Sequence, residues 1–272
     1  SNNNIETTSH SNSPNMLKIT NPLTPSIVFT KDNQLYISES GIERRLDETI
    51  MGTKSSPIMF KLDEEIHVAY INREESIAEI RIINLEKQLS FNYTTTDDII
   101  INPNSTITYN NVLSLLIFGG IDNRDNKNLY SWNILLDDTQ LLIENAFSPS
   151  SIEGLPSFIF IQETDSKFYI YMWANGEIIN DALTQSLNLS CHNPVAKQNR
   201  FDWDIWFLCV ENNKTQLYKI SLYDIAPPEK VALREEINIQ YITLGINSGE
   251  IFLESDEDVY LYKQNDDSSE IS

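Results

Sequence analysis

The sequence predicts an all-β fold, a β-propeller, on three observations. An apolar residue followed by tyrosine recurs about every 45 residues, with gaps of about 34 to 60, which is the period of propellers and other repeat arrays. Most of these pairs follow an apolar run of strand length and a tight turn. No stretch between the two polar termini has a convincing helical pattern. The pairs are Leu35-Tyr36, Ala69-Tyr70, Leu129-Tyr130, Phe168-Tyr169, Leu217-Tyr218 and Val259-Tyr260.

Each repeat predicts three or four antiparallel strands, the number found in a propeller blade. The apolar runs suit strands that are buried on both faces. They lie at residues 26–30, 57–60, 112–118, 157–161, 204–210 and 250–253. The strand with the tyrosine follows, a second turn leads to a third strand such as 77–83 or 219–223, and a polar outer strand such as 88–93 completes the unit.

The two ends of the chain predict how the ring closes. Residues 16–20 form a lone strand candidate before the first full unit, and the last unit, 241–263, has too few strands. Pairing them would remove two exposed sheet edges. We therefore expect six blades closed by the N-terminal strand, with five or seven as alternatives and the polar stretch 94–109 as a long loop. A two-sheet sandwich or several small β domains also stays open.

Composition bounds the domains and the partners. Residues 1–15 and 265–272 read as disordered tails around a single propeller domain, 16–264. With 40 acidic and 19 basic residues the net charge is -21, which argues against nucleic acid and anionic membranes. Nothing in the sequence is long and apolar enough to insert in a membrane. A basic protein partner is compatible with such a surface, and the cellular compartment stays open.

Residues able to carry catalysis or bind metal are few. Asp202 and Asp204 share one face of an extended segment, but adjacent carboxylates are almost inevitable among 40 acidic residues. The histidines are His10, His67 and His192, without metal-ligand spacing. We therefore expect no catalytic residues, no metal and no cofactor.

Two cysteines are too few for the framework of several disulfides that stabilises small secreted proteins. Cys209 lies in an apolar strand run, whereas Cys191 is expected in a polar loop. Whether the two form a disulfide is left open.

The tryptophans point toward a ligand or toward packing. All lie in or beside predicted strands, and residues 201–207 combine two indoles with two carboxylates. Aromatic faces with carboxylates are typical of sugar sites. Packing between blades is the alternative for the same residues, which are Trp132, Trp173, Trp203 and Trp206.

Segments 34–45, 66–79 and 168–179 resemble the repeat of fungal fucose-lectin propellers. That family holds sugar hydroxyls with a strand arginine and a following glutamate. The resemblance implies that Glu43, Glu79 and Glu177 correspond to the glutamate, while the place of the arginine is taken by Gln34, His67 and Lys167. Segments 129–137 and 217–224 look instead like blade ends of TolB-type or WD-type propellers.

The leading hypothesis is a non-catalytic, lectin-like propeller that binds a glycan. The alternatives are a protein-interaction scaffold or assembly subunit with an acidic surface, and a glycoside hydrolase. The expected ligand-binding residues are Glu43, Glu79, Trp173, Glu177, Trp203 and Trp206.

Overall fold

The computed structural model describes most of the chain as antiparallel strands. The described residues are 15–18, 27–39, 42–87, 89–94, 98–179, 182–198, 202–222, 226–233, 238–244, 251–255 and 259–263. They form six sheets, five with four or five strands and one with three. We number the sheets one to six along the chain.

The sheets consist of the following strands. Sheet one contains β2 (Ile27–Lys31), β3 (Gln34–Glu39) and β4 (Ile42–Arg45). Sheet two contains β5 (Thr53–Leu62), β6 (Glu65–Glu74), β7 (Ile77–Asn84) and β8 (Ser90–Thr94). Sheet three contains β9 (Ile99–Ile101), β10 (Ile107–Asn110), β11 (Leu115–Asp122), β12 (Lys127–Asn133) and β13 (Asp138–Ile143).

The second half of the ring repeats this arrangement. Sheet four contains β14 (Ala146–Ser151), β15 (Ser157–Thr164), β16 (Lys167–Ala174) and β17 (Glu177–Ile179). Sheet five follows a short 3-10 helix, Gln185–Leu187, and contains β18 (Ser190–Gln198), β19 (Trp203–Glu211), β20 (Lys214–Ser221) and β21 (Glu229–Lys230). Sheet six contains β22 (Ile239–Leu244), β23 (Ile251–Ser255), β24 (Val259–Lys263) and β1 (Asn15–Lys18).

Consecutive strands pair antiparallel within each sheet, so the connections alternate between two ends of the ring. In sheets two to five, the first strand begins at the end where the second and third strands are joined, which we call the upper end. The turns between third and fourth strands lie at the lower end. In sheet three, β9 and β10 both pair with β11 and share the first position.

The apolar core is divided among the six junctions between neighbouring sheets. Each of the six clusters of buried residues draws its members from two adjacent sheets. At the junction of the last sheet with the first, Phe252 packs with Ile27 and Phe29. The sheets therefore form a closed ring, which excludes the sandwich and confirms the propeller prediction.

The N-terminal strand closes the ring as predicted. Strand β1 pairs antiparallel with β24, with Met16 opposite Tyr262 and Lys18 opposite Tyr260. Five of the sheets are full blades, so the count agrees with the alternative of five rather than with the expected six, and sheet one is a smaller three-stranded unit in the ring. The long loop expected at 94–109 is wrong, because β9 and β10 lie within it. The division into one domain and two tails stays a prediction, since the tails lie outside the described residues except for Asn15.

The first strands carry a recurrent β-bulge. Pairing shifts between Ser55 and Ile58, Phe147 and Ser150, and His192 and Val195. Proline lacks the N–H that a ladder needs and is tolerated at bulges. In each case a residue with φ of 51° precedes the proline, at Ser56-Pro57, Ser148-Pro149 and Asn193-Pro194.

Hydroxyl groups join the bulged first strands of sheets two and four to the link between β9 and β10 of sheet three. Ser56 Oγ donates to the carbonyl of Ser105 at 3.0 Å, and Thr106 Oγ1 donates to the carbonyl of Pro149 at 2.9 Å. The N–H of Ser148 donates to Ser105 Oγ at 2.8 Å. These bonds satisfy backbone groups that the bulges leave outside the ladder.

Cys191 and Cys209 form a disulfide between directly opposite residues of β18 and β19. Both side chains are fully buried in the apolar cluster between sheets four and five. The expected polar loop at Cys191 is wrong, because the residue belongs to strand β18. The pairing that the sequence left open is therefore present.

We expect Ser105→Ala to lower the free energy of unfolding by about 1–3 kcal/mol, because it leaves the buried Ser148 N–H without its acceptor. Urea unfolding measures the effect. Ser90→Ala, at an exposed position on β8, should change stability by less than about 0.5 kcal/mol. Equal effects at both positions would contradict a role for the hydroxyl contact.

Gly52 lies in the link between sheets one and two at φ +110°, and an added Cβ would stand 2.6 Å from the carbonyl oxygen of Arg73. Gly176 has φ +91° and open space around it. We expect Gly176→Ala to cost about 1–2 kcal/mol for backbone strain. Gly52→Ala should cost about 1–3 kcal/mol more because of the overlap. Similar unfolding midpoints for the two variants would refute the close approach.

Candidate functional site

A cleft of about 470 Å³ opens at the upper end of the ring, between sheets five and six. The cleft is shallow and more open to solvent than enclosed. The residues that line it come from β18, β20 and β22 and from the segment just before β22. They are His192, Thr215, Asn238, Ile239, Gln240 and Tyr241.

Bulges in two neighbouring first strands shape this cleft. In β18 the pairing shifts just after His192, and in β22 it shifts between Ile239 and Tyr241. A bulge adds one residue to its strand and redirects the side chains beside it. His192 is the last paired residue before the bulge of β18, and Gln240 is the residue that the bulge of β22 leaves outside the ladder.

The floor of the cleft is the apolar core shared by sheets five and six. Ile239 is 1% exposed and packs in the same cluster as Leu208 and Leu217. His192 pairs with Leu208, which in turn pairs with Leu217, so the imidazole belongs to the row that faces sheet six. The site is therefore an apolar base with a polar rim.

The lining groups among the described residues carry no permanent charge. Thr215 offers a hydroxyl, Asn238 and Gln240 offer amides, and Tyr241 offers a phenol on a ring that is 56% exposed. Burial lowers the pKa of His192, so its imidazole is neutral at neutral pH. Amides, hydroxyls and neutral imidazole can each donate and accept hydrogen bonds. The arrangement suits a neutral ligand rich in hydroxyl groups.

The three predicted tryptophans lie at three different junctions. Trp173 stacks on Phe158 with ring centroids 5.0 Å apart. Trp203 donates its indole N–H to the carbonyl of Glu153 at 3.0 Å. Trp206 is fully buried in the cluster beneath the cleft, with Lys219 Nζ 5.8 Å from its ring centroid. Packing between sheets accounts for much of each side chain.

Two of the predicted glutamates lie on exposed strands at the edges of their sheets. Glu43 is half exposed on β4 and forms an ion pair with Lys31 at 3.7 Å. Glu177 begins the exposed strand β17. It pairs with Ala174, beside Trp173, so this carboxylate and that indole share sheet four.

The third, Glu79, belongs to a polar network between sheets one and two. Arg81 bonds Glu79 at 3.0 Å and Asp47 at 3.2 Å. Burial raises the pKa of Asp47, although Arg81 acts in the opposite direction. Lys54 is 2% exposed and donates to the carbonyl of Ile50 at 2.6 Å, and burial lowers its pKa. The network stabilises the segment between β4 and β5, which links the two sheets.

The structure therefore distributes the six predicted residues over four sheets and leaves their role a prediction. Only Trp206 lies next to the cleft, beneath its floor. Sequence reasoning missed the lining residues, although a proline inside a strand, as in His192-Asn193-Pro194, could have indicated the bulge. In the part of the chain that the structure describes, no group of three or more histidine, cysteine or acidic side chains could hold a metal, and no helix could cross a membrane.

Comparison with known proteins supports the fold. No family model matches the chain, and no curated protein does. TolB from Acinetobacter baumannii is 14% identical with a TM-score of 0.61, over 90% of this chain and 62% of TolB. The tricorn protease is 14% identical with a TM-score of 0.66, over 91% of this chain and 25% of that protein.

An oligogalacturonate lyase in complex with manganese is 8% identical, with a TM-score of 0.54, over 82% of this chain and 64% of the lyase. The chain thus spans less than two thirds of each of these proteins. At such identities the likeness shows the fold alone. The similarity of two segments to TolB-type blade ends agrees with it, whereas the resemblance to fungal fucose lectins is not shown.

Because burial opposes protonation of His192 in the folded protein, the unfolded chain binds a proton there more readily. This contribution to stability is present above the ordinary pKa of 6.5 and is lost as the pH falls below it. We expect the wild type to lose more stability between neutral pH and about pH 5 than His192→Gln. Parallel unfolding curves at both pH values would contradict the assignment.

Proposed function

We propose that this protein is a non-catalytic propeller that binds a neutral glycan in the cleft between sheets five and six. The observation that carries the proposal is the hydrogen-bonding lining of the cleft, whose described residues are all uncharged, on a chain with a net charge of -21. In so acidic a chain, the lack of carboxylates among the described lining residues is unusual. It favours a ligand that is recognised by its hydroxyl groups.

The lining supplies the two kinds of contact that a sugar ring needs. Asn238, Gln240, Thr215 and His192 provide donors and acceptors at the rim. Tyr241 provides an open aromatic ring on which the C–H face of a sugar can pack. The glycan hypothesis drawn from the sequence is thus kept, with a different set of residues.

The absence of catalysis is part of the proposal and rests on the acidic residues. Asp202, one of the best-placed carboxylates in the sequence, accepts hydrogen bonds from the Trp203 N–H and from Ser221 Oγ. Asp204 is 5% exposed within β19. Glycoside hydrolysis needs two carboxyl groups facing each other across an open cleft. None of the described residues that line the cleft has a carboxyl group, so the hydrolase alternative finds no support.

We expect a glycan array to yield a neutral ligand whose affinity falls at least about tenfold in Tyr241→Ala and in Gln240→Ala. Titration calorimetry with the best array hit gives the affinities. Glu177→Gln is the control, because it alters an exposed residue that the sequence singled out and that lies in another sheet.

The outcomes separate the two possible sites. If Glu177→Gln lost binding while Tyr241→Ala kept its affinity, the glycan site would lie on sheet four and not in the cleft. An array without any hit would refute the glycan proposal itself.

A further inference from the structure

Two adjacent leucines stand out from the lower end of sheet three. Leu135 is 65% exposed and Leu136 is 75% exposed, in the turn between β12 and β13. Single exposed apolar residues are ordinary on protein surfaces, but contiguous ones often mark an interaction site.

The turn is held in this form by its polar neighbours. Asn133 Oδ1 accepts hydrogen bonds from the N–H groups of Leu135 and Leu136, both at 3.1 Å. The indole N–H of Trp132, which is 2% exposed, donates to Asp137 Oδ1 at 3.1 Å. The leucines are therefore presented by a constrained turn whose base is anchored in the core.

Strand β8 of sheet two extends the apolar surface toward this turn. Tyr93 packs on Trp132 with ring centroids 5.3 Å apart. Phe91 is two residues nearer the lower end, on the same face of β8, and is 44% exposed. Leu89, which directly precedes β8, is 55% exposed. We call Leu89, Phe91, Leu135 and Leu136 the apolar strip.

The lower end of sheets two and three, where the apolar strip lies, also carries acidic side chains. The exposed ones at the lower end of sheets two and three are Asp63, Glu64, Glu86, Asp137 and Asp138. The cations there are Lys61 and Lys87, and Lys87 forms an ion pair with Glu65. Opposite charge around an apolar patch favours a partner that carries both lysine or arginine and bulky apolar residues.

We propose that the apolar strip is a docking surface for a basic, amphipathic segment of a partner protein. Its apolar side chains cover Leu135, Leu136 and Phe91, and its cations meet the surrounding carboxylates. A second copy of this chain fits less well, because two bodies of net charge -21 repel each other. The surface lies at the opposite end of the ring from the cleft and does not depend on a glycan.

A fluorescent amphipathic peptide made only of leucine and lysine tests the proposal, with a peptide in which glutamate replaces lysine as its counterpart. Fluorescence anisotropy should show binding of the first peptide alone, weakening from low to physiological salt. The variant Leu135→Ser with Leu136→Ser should bind at least about tenfold less tightly. Met51→Ser, which alters a side chain 73% exposed in the link between sheets one and two, should bind as the wild type does.

A second variant tests the charges separately. Asp138→Asn with Glu86→Gln leaves the leucines in place and should reduce both the affinity and its salt dependence. Equal binding of the two peptides would overturn the proposal. So would undiminished binding of the leucine/lysine peptide by both double variants.

Discussion

Every sheet of this ring buries its two apolar faces against two different neighbours, and the fold depends on that mutual covering. In β19, Ile205 and Phe207 pack toward sheet four, while the alternate residues Trp206 and Leu208 pack toward sheet six. No sheet can bury both faces alone, as in other repeat architectures. The pairing of β1 with β24 completes the last sheet, and Phe252 completes the last junction. The pairing that closes the ring therefore also completes the burial of the core.

This constraint explains why the fold could be predicted from the sequence. A strand that is covered on both faces is apolar at consecutive positions, whereas a strand with one solvated face alternates. The continuous runs near Phe158 and Phe207 indicated double burial, and the acidic or asparagine turns marked their ends. The same double burial means that the sequence pattern does not distinguish a packing role of the tryptophans from a ligand-binding role. Trp173 and Trp206 lie in strands where an aromatic residue packs between sheets whether or not it meets a ligand.

The cleft was beyond prediction because it depends on register rather than on local pattern. His192 and Tyr241 lie far apart in the sequence and meet only where bulges interrupt two first strands. Periodicity assigns residues to faces on the assumption of an unbroken ladder, and a one-residue shift reverses the assignment. The signal that was available is the proline that recurs ahead of the apolar runs, at Pro57, Pro149 and Pro194. A central strand excludes proline, so its recurrence indicated irregular first strands.

The two ends of the ring suit different kinds of ligand. A net charge of -21 disfavours anionic ligands in general and favours ligands that are cationic or recognised without charge. The apolar strip with its carboxylates at the lower end suits the first kind, and the cleft with its amides and neutral imidazole at the upper end suits the second. The two surfaces share no residue and lie at different junctions. Binding free energies at distant, independent sites add. The proposed glycan site and the proposed docking surface are therefore expected to bind their ligands independently of each other.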